Sequence, residues 1–392
     1  MLIDQIIKFF TSLRLTVVCL ALAVLLVFFG TIAQVDDGLY LAQVKWFRSF
    51  IVWWGPQGAG WRIPVFPGGY LIGGVLLVNL IAAHIKRFRL TWKKFGINLL
   101  HAGIILLLLG QLATDLLSRE SQMRFVRGET LKYSEAPEKT ELVFMTDTAK
   151  PGEDKVVSVP ESFLKKPEAI RAGDLPFTVR VKSYYTNSSV RARGPMVDKG
   201  PPPATEGIGT QAVVIPEEET RDTESRNYPS AVIELIGTQG SLGTWLVSAA
   251  SNFPLEPQEV TIGGKIWRIA LRWERFYLPY TVQLLTMKHD VYPGTTTPKD
   301  YQSRVRIENP GRGENREVDI YMNNPLRYEG QTFYQYQMPA GEVAPDQEFS
   351  VLQVVRNPGW LTPYLGCLMV GAGMAYQFLY HLVGFIGKRR AA

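Results

Sequence analysis

The sequence predicts a membrane protein with four transmembrane helices and one large extracytoplasmic all-β domain. Its composition is intermediate: 46% of the 392 residues are hydrophobic and 20% are charged, whereas a soluble protein of this size is more polar and a multi-span carrier more apolar. Four long runs contain no charged residue, and the segment between the third and fourth runs alternates apolar and polar residues. Together these observations favour a water-soluble β domain tethered by membrane spans.

Each uncharged run is long enough to cross the hydrocarbon core of a bilayer, which takes about 20 apolar residues in a helix. The runs lie between Arg14 and Asp36, between Arg62 and Lys86, between Lys94 and Asp115, and between Arg356 and Lys388. The first run has an alternative interpretation as a signal peptide cleaved after 31–33. The apolar core of a signal peptide is only roughly 7–15 residues long, so we predict that this span is retained as an anchor.

Basic residues orient the spans, because cytoplasmic loops carry an excess of Lys and Arg. The segment KRFRLTWKK at 86–94 is rich in both and contains no acid. We therefore predict a multi-pass protein of the inner (cytoplasmic) membrane. The predicted order is a cytoplasmic N-terminus (1–14), helix 15–35, an outside aromatic loop (36–68), helix 69–85, a cytoplasmic basic loop (86–94), helix 95–116, the extracytoplasmic β domain (117–357), helix 361–386 and a cytoplasmic tail (387–392). The net charge of +6 belongs to the flanking segments, so we expect membrane lipid and not nucleic acid as a partner.

The domain at 117–357 is predicted to be all β, because its segments alternate apolar and polar residues with the period of a strand. Examples are FTVRVKSYY, SAVIELIG and YTVQLLTM, and VTIGGKIW predicts a hairpin that turns at Gly263-Gly264. The length fits either one large sandwich or two smaller β lobes. Loop 36–68 is rich in Trp and Phe, which is typical of a belt at the membrane interface.

Cysteine usage excludes several kinds of redox protein. The chain has two cysteines, Cys19 and Cys367, and contains neither Cys-x-x-Cys nor Cys-x-x-Cys-His. It is therefore neither a dithiol oxidoreductase nor a c-type cytochrome, and it cannot build a zinc or iron–sulfur site from cysteines.

Two of the four histidines lie well inside predicted spans, away from their ends, and are candidate haem-binding or proton-carrying residues. His101 and His381 are each seven residues from a lysine at the cytoplasmic end of the span, so we expect them at a similar depth, roughly 10 Å from that boundary. Neutral imidazole is a usual axial ligand of haem iron, and intramembrane ionisable residues are functional candidates by default. A hydrogen bond between helices is the alternative for each. We expect His84 to be interfacial and His289 to be a surface residue.

A stripe of small and polar residues follows one face of the last span. It comprises Gly366, Gly373, Gln377, His381 and Gly384. Such a stripe either permits close approach of another helix or leaves room for a flat ligand.

The layout of three spans, a β domain and a last span resembles the ResB-like family of cytochrome c biogenesis proteins, and three segments carry this resemblance. The family's third helix and its exit are matched by HAGIILLLLGQLATDLLSRESQMRFVRGE, the last hairpin of its domain by YMNNPLRYEGQTFYQYQM, and the entry to its last helix by RNPGWLTPYLGCLMVGAGM. The resemblance spans nearly the whole chain and is weakest over 190–260.

The resemblance implies a role as the smaller component, also called CcsB, of the System II machinery that carries haem across the membrane and attaches it to apocytochrome c. It implies a CcsA/ResC-type membrane partner, haem b as a transient cofactor, and His101 as an axial ligand of the haem iron, with the other ligand supplied by the partner. The tryptophan-rich segment of that partner is missing from this chain. We therefore expect a non-catalytic subunit of a cytochrome c haem lyase complex.

Two other functions remain open from the sequence. One is a b-type electron-transfer subunit in which His101 and His381 hold haem between them. The other is a haem-free membrane scaffold in which both histidines only pack. A low-spin haem spectrum from this chain alone favours the first, and a colourless protein favours the second.

Overall fold

The protein divides into a helical unit and a β unit in the computed structural model. The residues described are 2–55, 61–150, 152–166, 168–173, 175–194, 198–220, 226–250, 256–295, 298–339 and 348–391. The helical unit comprises the chain up to Arg119 and from Arg356 onwards, and the β unit lies between Glu120 and Val355. The predicted fold class, four apolar helices with a large all-β domain, is confirmed.

The helices formed by the described residues are α1 (Leu2–Phe10), α2 (Leu13–Ala42), α3 (Gly69–Arg87), α4 (Trp92–Leu117), the one-turn α5 (Glu161–Leu164) and α6 (Thr362–Ala391). Four of them, α2, α3, α4 and α6, are long and apolar enough to cross a membrane. Each coincides with one of the uncharged runs, as expected where the backbone must satisfy its own hydrogen bonds in lipid.

Two helical segments meet near the predicted end of the first span at residue 35. Helix α2 runs from Leu13 to a break at Gly38, whose φ is 73°, resumes as far as Ala42, and is followed by a π-helical turn at Gln43–Phe47. Asp37 is paired with Lys45 across 2.7 Å, and this ion pair links the turns on either side of the break. The regular helix thus ends close to the acidic residues that end the apolar sequence.

The predicted aromatic loop, 36–68, contains a β-hairpin. Its strands are β1 (Ile51–Trp54) and β2 (Ile63–Pro67), which pair antiparallel. The rings of Trp46 and Phe66 each lie 6.2 Å from the ring of Phe29 in α2, measured between centroids. These two side chains therefore pack against the first span, while Trp53 and Trp54 of β1 are exposed, and the belt at the membrane interface stays a prediction.

Helices α4 and α6 pack antiparallel through glycines. Gly96, Gly103 and Gly110 recur at every seventh residue of α4, and all three are buried. A Cβ added to Gly96 would lie 2.7 Å from the carbonyl oxygen of Gly373, and one added to Gly103 would lie 2.9 Å from that of Gly366. The two backbones are therefore in contact, which is the close approach that small residues allow between membrane helices.

The strands of the β unit follow in chain order: β3 (Arg119–Val126), β4 (Thr130–Asp147), β5 (Asp154–Pro160), β6 (Thr178–Tyr185), β7 (Ser188–Ala192), β8 (Ala212–Pro216), β9 (Ser230–Gly237), β10 (Gly240–Ser248), β11 (Gln258–Ile262), β12 (Lys265–Val291), β13 (Pro298–Asn309), β14 (Glu314–Tyr321), β15 (Leu326–Tyr328), β16 (Gln331–Gln337) and β17 (Phe349–Arg356). The largest sheet has the order β14-β13-β12-β4-β3-β17-β16-β15, with β11 added on β12 and β5 on β4. Separate sheets are formed by β10-β9-β6 and by β7-β8.

Two large hydrophobic cores show that the domain consists of two β lobes, one of the two architectures that the sequence left open. One core contains Phe125 and Phe333, and the other contains Phe144 and Ile233. The long strands β4 (18 residues) and β12 (27 residues) pair with each other and contribute to both cores. The lobes are therefore joined by shared strands.

The predicted turn at Gly263-Gly264 is confirmed. Strand β11 pairs antiparallel with the start of β12, with Ile262 opposite Lys265. The two glycines between them have φ values of 58° and 75°. A two-residue hairpin turn of this kind needs positive φ at both positions, which glycine adopts at little cost.

Candidate functional site

His101 lies in the third turn of α4 and is partly exposed. Its Nδ1 is 2.8 Å from the carbonyl oxygen of Ile97, one turn earlier in the same helix. Because a carbonyl only accepts hydrogen bonds, Nδ1 carries the ring proton and Nε2 keeps its lone pair. Metal-binding histidines are commonly fixed in this way, with one ring N–H donated to a carbonyl or carboxylate.

The structure places His84 of α3 beside His101, which the sequence did not predict. The two ring centroids are 6.0 Å apart, and the ring planes are inclined by 41°. We expected His84 at the membrane edge because basic residues follow it closely in the sequence. The connection between α3 and α4 accounts for the difference: the side-chain amide of Asn98 donates to the carbonyl of Arg89 across 3.1 Å. The connection therefore runs back along the first turns of α4, and the end of α3 is level with the interior of that helix.

The buried amide of Asn79 fixes helix α3, which carries His84. Asn79 Nδ2 donates to the carbonyl oxygen of Phe10 across 2.7 Å, and Asn79 Oδ1 accepts from Thr16 Oγ1 across 2.6 Å. Asn79 is only 1% exposed, and hydrogen bonds in such surroundings are strengthened by the low dielectric. They tie α3 to the junction between α1 and α2 and so help to set the position of His84.

The structure does not bring His381 to His101. Gly96 of α4 lies against Gly373 of α6; His101 is five residues from Gly96, and His381 is eight residues from Gly373 in the opposite direction along the axis. At about 1.5 Å per residue the two histidines are about 20 Å apart along the helices. The expectation of a similar depth is therefore wrong, because it counted each histidine from its nearest lysine although α6 extends beyond the start of α4.

One ring nitrogen of His381 is engaged within its own helix. Its Nε2 lies 2.7 Å from Nε2 of Gln377, one turn earlier in α6. His101 differs, because its own bond to the helix backbone uses Nδ1 and not Nε2. The two candidate ligand residues thus engage different ring nitrogens, and only in His101 is Nε2 outside the hydrogen bonds made by the described residues.

The small residues of α6 serve helix packing. Gly366 and Gly373 face α4, and a Cβ added to Gly96 would lie 2.9 Å from Oε1 of Gln377. Because the backbones touch along this stretch, no flat molecule fits between α4 and α6 there. The structure therefore favours close helix packing as the role of Gly366, Gly373 and Gln377, whereas a Cβ added to Gly384 meets nothing within 4 Å.

His289 is half-buried on β12. It lies opposite Tyr301 of β13, and the two ring centroids are 4.6 Å apart. Its Nε2 is buried without a hydrogen-bond partner among the described residues. The residue is thus more buried than an exposed surface histidine, because the ring packs against its cross-strand neighbour. Within the described part of the chain, no three or more His, Cys, Asp or Glu side chains gather as a metal site.

Part of the β domain is similar to a known protein family. Residues 259–347 match the model of the ResB-like family. The chain is also similar to Protein NrfI of Wolinella succinogenes, with 31% identity over 104 residues, which cover 26% of this chain and 11% of that protein. This part of the β domain is similar to the ResB-like family.

The match to NrfI spans only about a tenth of the length of that relative. The match to the family model begins in β11 and ends after β16, so it lies within the β unit. The histidines of α3 and α4 lie outside it. The family similarity thus concerns the β domain, whereas the candidate site rests on the geometry of the helices.

Proposed function

We propose that this protein acts in cytochrome c biogenesis as a non-catalytic subunit of a haem-handling membrane complex. It binds haem b in transit, works with a CcsA/ResC-type membrane partner, and presents haem to apocytochrome c. The observation that carries the proposal is the state of His101, whose Nδ1 is bonded to the carbonyl of Ile97 while Nε2 keeps its lone pair. The family match of the β domain supports the same role.

The donor chemistry of the site fits haem. A neutral imidazole nitrogen is a usual axial ligand, and bound haem supplies a redox-active iron whose potential depends on its axial ligands. His101 would hold the iron through Nε2, and the carbonyl of Ile97 fixes the orientation of the ring by accepting the Nδ1 hydrogen bond. The β domain offers strands to a partner or to an unfolded apocytochrome segment, which can bind in extended form.

We propose that the protein lies in the cytoplasmic membrane. The start of α2 and the end of α6 lie on the cytoplasmic side, and the β domain lies outside. The basic segment 86–94 at the junction of α3 and α4 supports this orientation. The basic residues 388–390 at the end of α6 support the same orientation. Two spans, α4 and α6, separate them from the segment 86–94, so both basic segments lie on the same side of the membrane.

A b-type electron-transfer subunit with haem between His101 and His381 finds no support in this arrangement. The two rings are about 20 Å apart along the helices, and α4 and α6 touch through glycines between them. The competing function is a haem-free scaffold, in which the bond from His101 to Ile97 serves only to satisfy the ring.

The test is the absorbance spectrum of the complex of this chain with its membrane partner, purified as wild type and as His101→Ala. We expect the variant to assemble but to carry less haem, to mature less cytochrome c, and to recover in part with added imidazole, because a small base can occupy the vacated ligand position. His381→Ala is the matched control, since its ring is bonded within α6, and it should leave the spectrum unchanged. Unchanged haem content and unchanged cytochrome c maturation in His101→Ala would contradict haem binding by His101 and would favour the haem-free scaffold.

A further inference from the structure

The short helix α1 (Leu2–Phe10), which precedes the first span, is amphipathic. At about 3.6 residues per turn, its polar residues Asp4, Gln5 and Lys8 fall on one side of the helix. The other side is entirely apolar and carries Leu2, Ile3, Ile6, Ile7, Phe9 and Phe10. The helix is roughly 14 Å long at about 1.5 Å per residue, which is too short to cross the hydrocarbon core of a bilayer.

The apolar side of α1 is uncovered. None of the nine residues described in α1 is buried, and Leu2 and Ile3 are 71% and 72% exposed. Exposed apolar residues continue into the start of α2 at Leu13 and Val17. A contiguous exposed apolar surface marks contact with a membrane or with another protein. Because this surface continues onto a membrane span, the lipid around the span also reaches α1.

The junction between α1 and α2 is bonded to the basic end of α3. Nζ of Lys86 donates to the hydroxyl of Thr11 across 3.2 Å, and the guanidinium of Arg87 donates to the carbonyl of Thr11 across 3.4 Å. Ser12 is extended, with a ψ of 129°, so the helix is interrupted there. Helix α1 is therefore a separate element held at the end of the spans, and not an extension of α2.

Basic side chains surround this junction. Those next to it in the sequence are Lys8 and Arg14, and those bonded to it are Lys86 and Arg87; all four are exposed. Basic residues beside a membrane span are attracted to the anionic headgroups of the cytoplasmic leaflet. The charge of the junction thus complements the same leaflet that its apolar neighbour α1 can enter.

We propose that α1 lies in the surface of the cytoplasmic leaflet, with its apolar side among the acyl chains and the basic junction at the headgroups of anionic phospholipids. An amphipathic helix with basic residues binds a bilayer in this way. The proposal goes beyond the proposed function, because it involves neither haem nor a protein partner and takes from that function only the orientation in the membrane. Since the junction is bonded to α3, the lipid contact of α1 also fixes the depth of α3.

The experiment attaches a nitroxide spin label to one side of α1 or the other in the full-length chain. The labelled variants are Ile3→Cys on the apolar side and Gln5→Cys on the polar side. Both carry Cys367→Ala, because Cys367 is exposed whereas Cys19 is buried. The chain is reconstituted in vesicles of phosphatidylcholine, with or without an equal amount of phosphatidylglycerol. Electron paramagnetic resonance measures collisions of each label with oxygen, which dissolves in lipid, and with a water-soluble nickel chelate.

In the mixed vesicles we expect the label of Ile3→Cys to lie about 5–10 Å inside the headgroup boundary and the label of Gln5→Cys to stay accessible to the chelate. Without phosphatidylglycerol, the first label should become more mobile and more accessible to the chelate, because the headgroups lose their net negative charge. Adding Ile6→Asp should release the first label into water. Adding Gln5→Asp is the matched control, since it places the same charge on the polar side and should leave the label in lipid.

Equal access of the chelate to both labels would show that α1 lies in water and would overturn the proposal. Shielding of the Ile3→Cys label from oxygen and chelate alike would indicate a protein contact and would overturn it as well. Shielding that is the same in both kinds of vesicle would contradict the part given to anionic headgroups. None of these results depends on haem, so the proposed function is tested separately.

Discussion

Gly96 and Gly373 bring the backbones of two transmembrane helices into direct contact. A Cβ added to either glycine would lie 2.7 Å from the carbonyl oxygen of the other, a distance that real Cβ atoms do not reach. The obstacle in each case is backbone and not a flexible side chain. The α4–α6 pair therefore depends on the absence of side chains at these two positions.

We expect Gly373→Ala to destabilise the α4–α6 pair by about 1–3 kcal/mol, the usual cost of overpacking a close contact. The matched control is Gly371→Ala in the same helix, where a Cβ meets nothing within 4 Å. Because alanine favours helix over glycine by about 1 kcal/mol, the control should be neutral or stabilising. Unfolding of the purified chain in mixed detergent micelles measures both, and equal stabilities of the two variants would contradict the contact.

Asp115 joins three segments of the helical unit and is expected to stabilise it. Its carboxylate lies 2.9 Å from Nε of Arg48 and accepts a hydrogen bond from the hydroxyl of Tyr70, and the Asp115 side chain is 11% exposed. Asp115→Asn should cost about 1–3 kcal/mol, because it weakens bonds to a charged acceptor that is largely buried. Asp36→Asn, at an exposed carboxylate, is the control. Unfolding in detergent measures the difference, and a loss of the same size in the control would argue against the network.

Glu161 makes the stability of the β domain depend on pH. Burial alone raises the pKa of Glu161, but hydrogen bonds from Lys165, the Thr140 amide and the Tyr184 hydroxyl outweigh it and hold the pKa below its ordinary value. A carboxylate with a lowered folded-state pKa stabilises the fold above its unfolded pKa of about 4.3, and this contribution is lost as pH falls through the folded-state pKa.

We therefore expect Glu161→Gln to lower stability at pH 7 by about 1–2 kcal/mol and to differ less from wild type near pH 3. The measurement is thermal unfolding of the full-length chain at both pH values. Glu138→Gln, at an exposed glutamate of β4, should show little effect at either pH. A deficit of Glu161→Gln that persists undiminished at low pH would point to lost packing in place of lost charge.

Reporter fusions test the orientation in the membrane. An alkaline phosphatase fused after Gly240, in the β domain, should be active, and one fused after Arg89, between α3 and α4, should be inactive, because the basic cluster at 86–94 favours the cytoplasmic side. A β-lactamase fused at the same two positions provides an independent readout. The reverse pattern of activity would defeat the proposed orientation and the extracytoplasmic role of the domain.

Local patterns in the sequence predicted the spans and one hairpin because each depends on residues close together in the chain. An uncharged apolar run can satisfy its backbone in lipid only as a helix, and Gly263-Gly264 permits a tight turn wherever it stands between strands. The short helical segment after the break at Gly38 was not predicted, because the charged residues Asp36 and Asp37 end the apolar pattern that marks the span.

The arrangement of the histidines was predicted in part. His101 was identified because an imidazole in an apolar run stands out, but its neighbour His84 was missed. Their proximity depends on the path of four connecting residues, which a single bond from Asn98 to Arg89 redirects along α4. The similar depth expected for His101 and His381 is not observed. The relative position of α4 and α6 along their axes is set by the contact of Gly96 with Gly373. Counting residues from the nearest lysine does not reveal that contact.

The neighbouring positions of β3 and β17 in the largest sheet have a consequence for biosynthesis. Ser121 of β3 donates to the carbonyl of Val354 in β17, 233 residues further along the chain. At about 5–20 residues per second, a ribosome needs roughly 10–50 s to make that stretch, so β3 emerges long before its partner strand exists. Strand β17 ends at Arg356 and α6 begins at Thr362. The last strand of the lobe is therefore synthesised just before the final span, and the pairing of β3 with β17 must wait until translation has nearly reached that span.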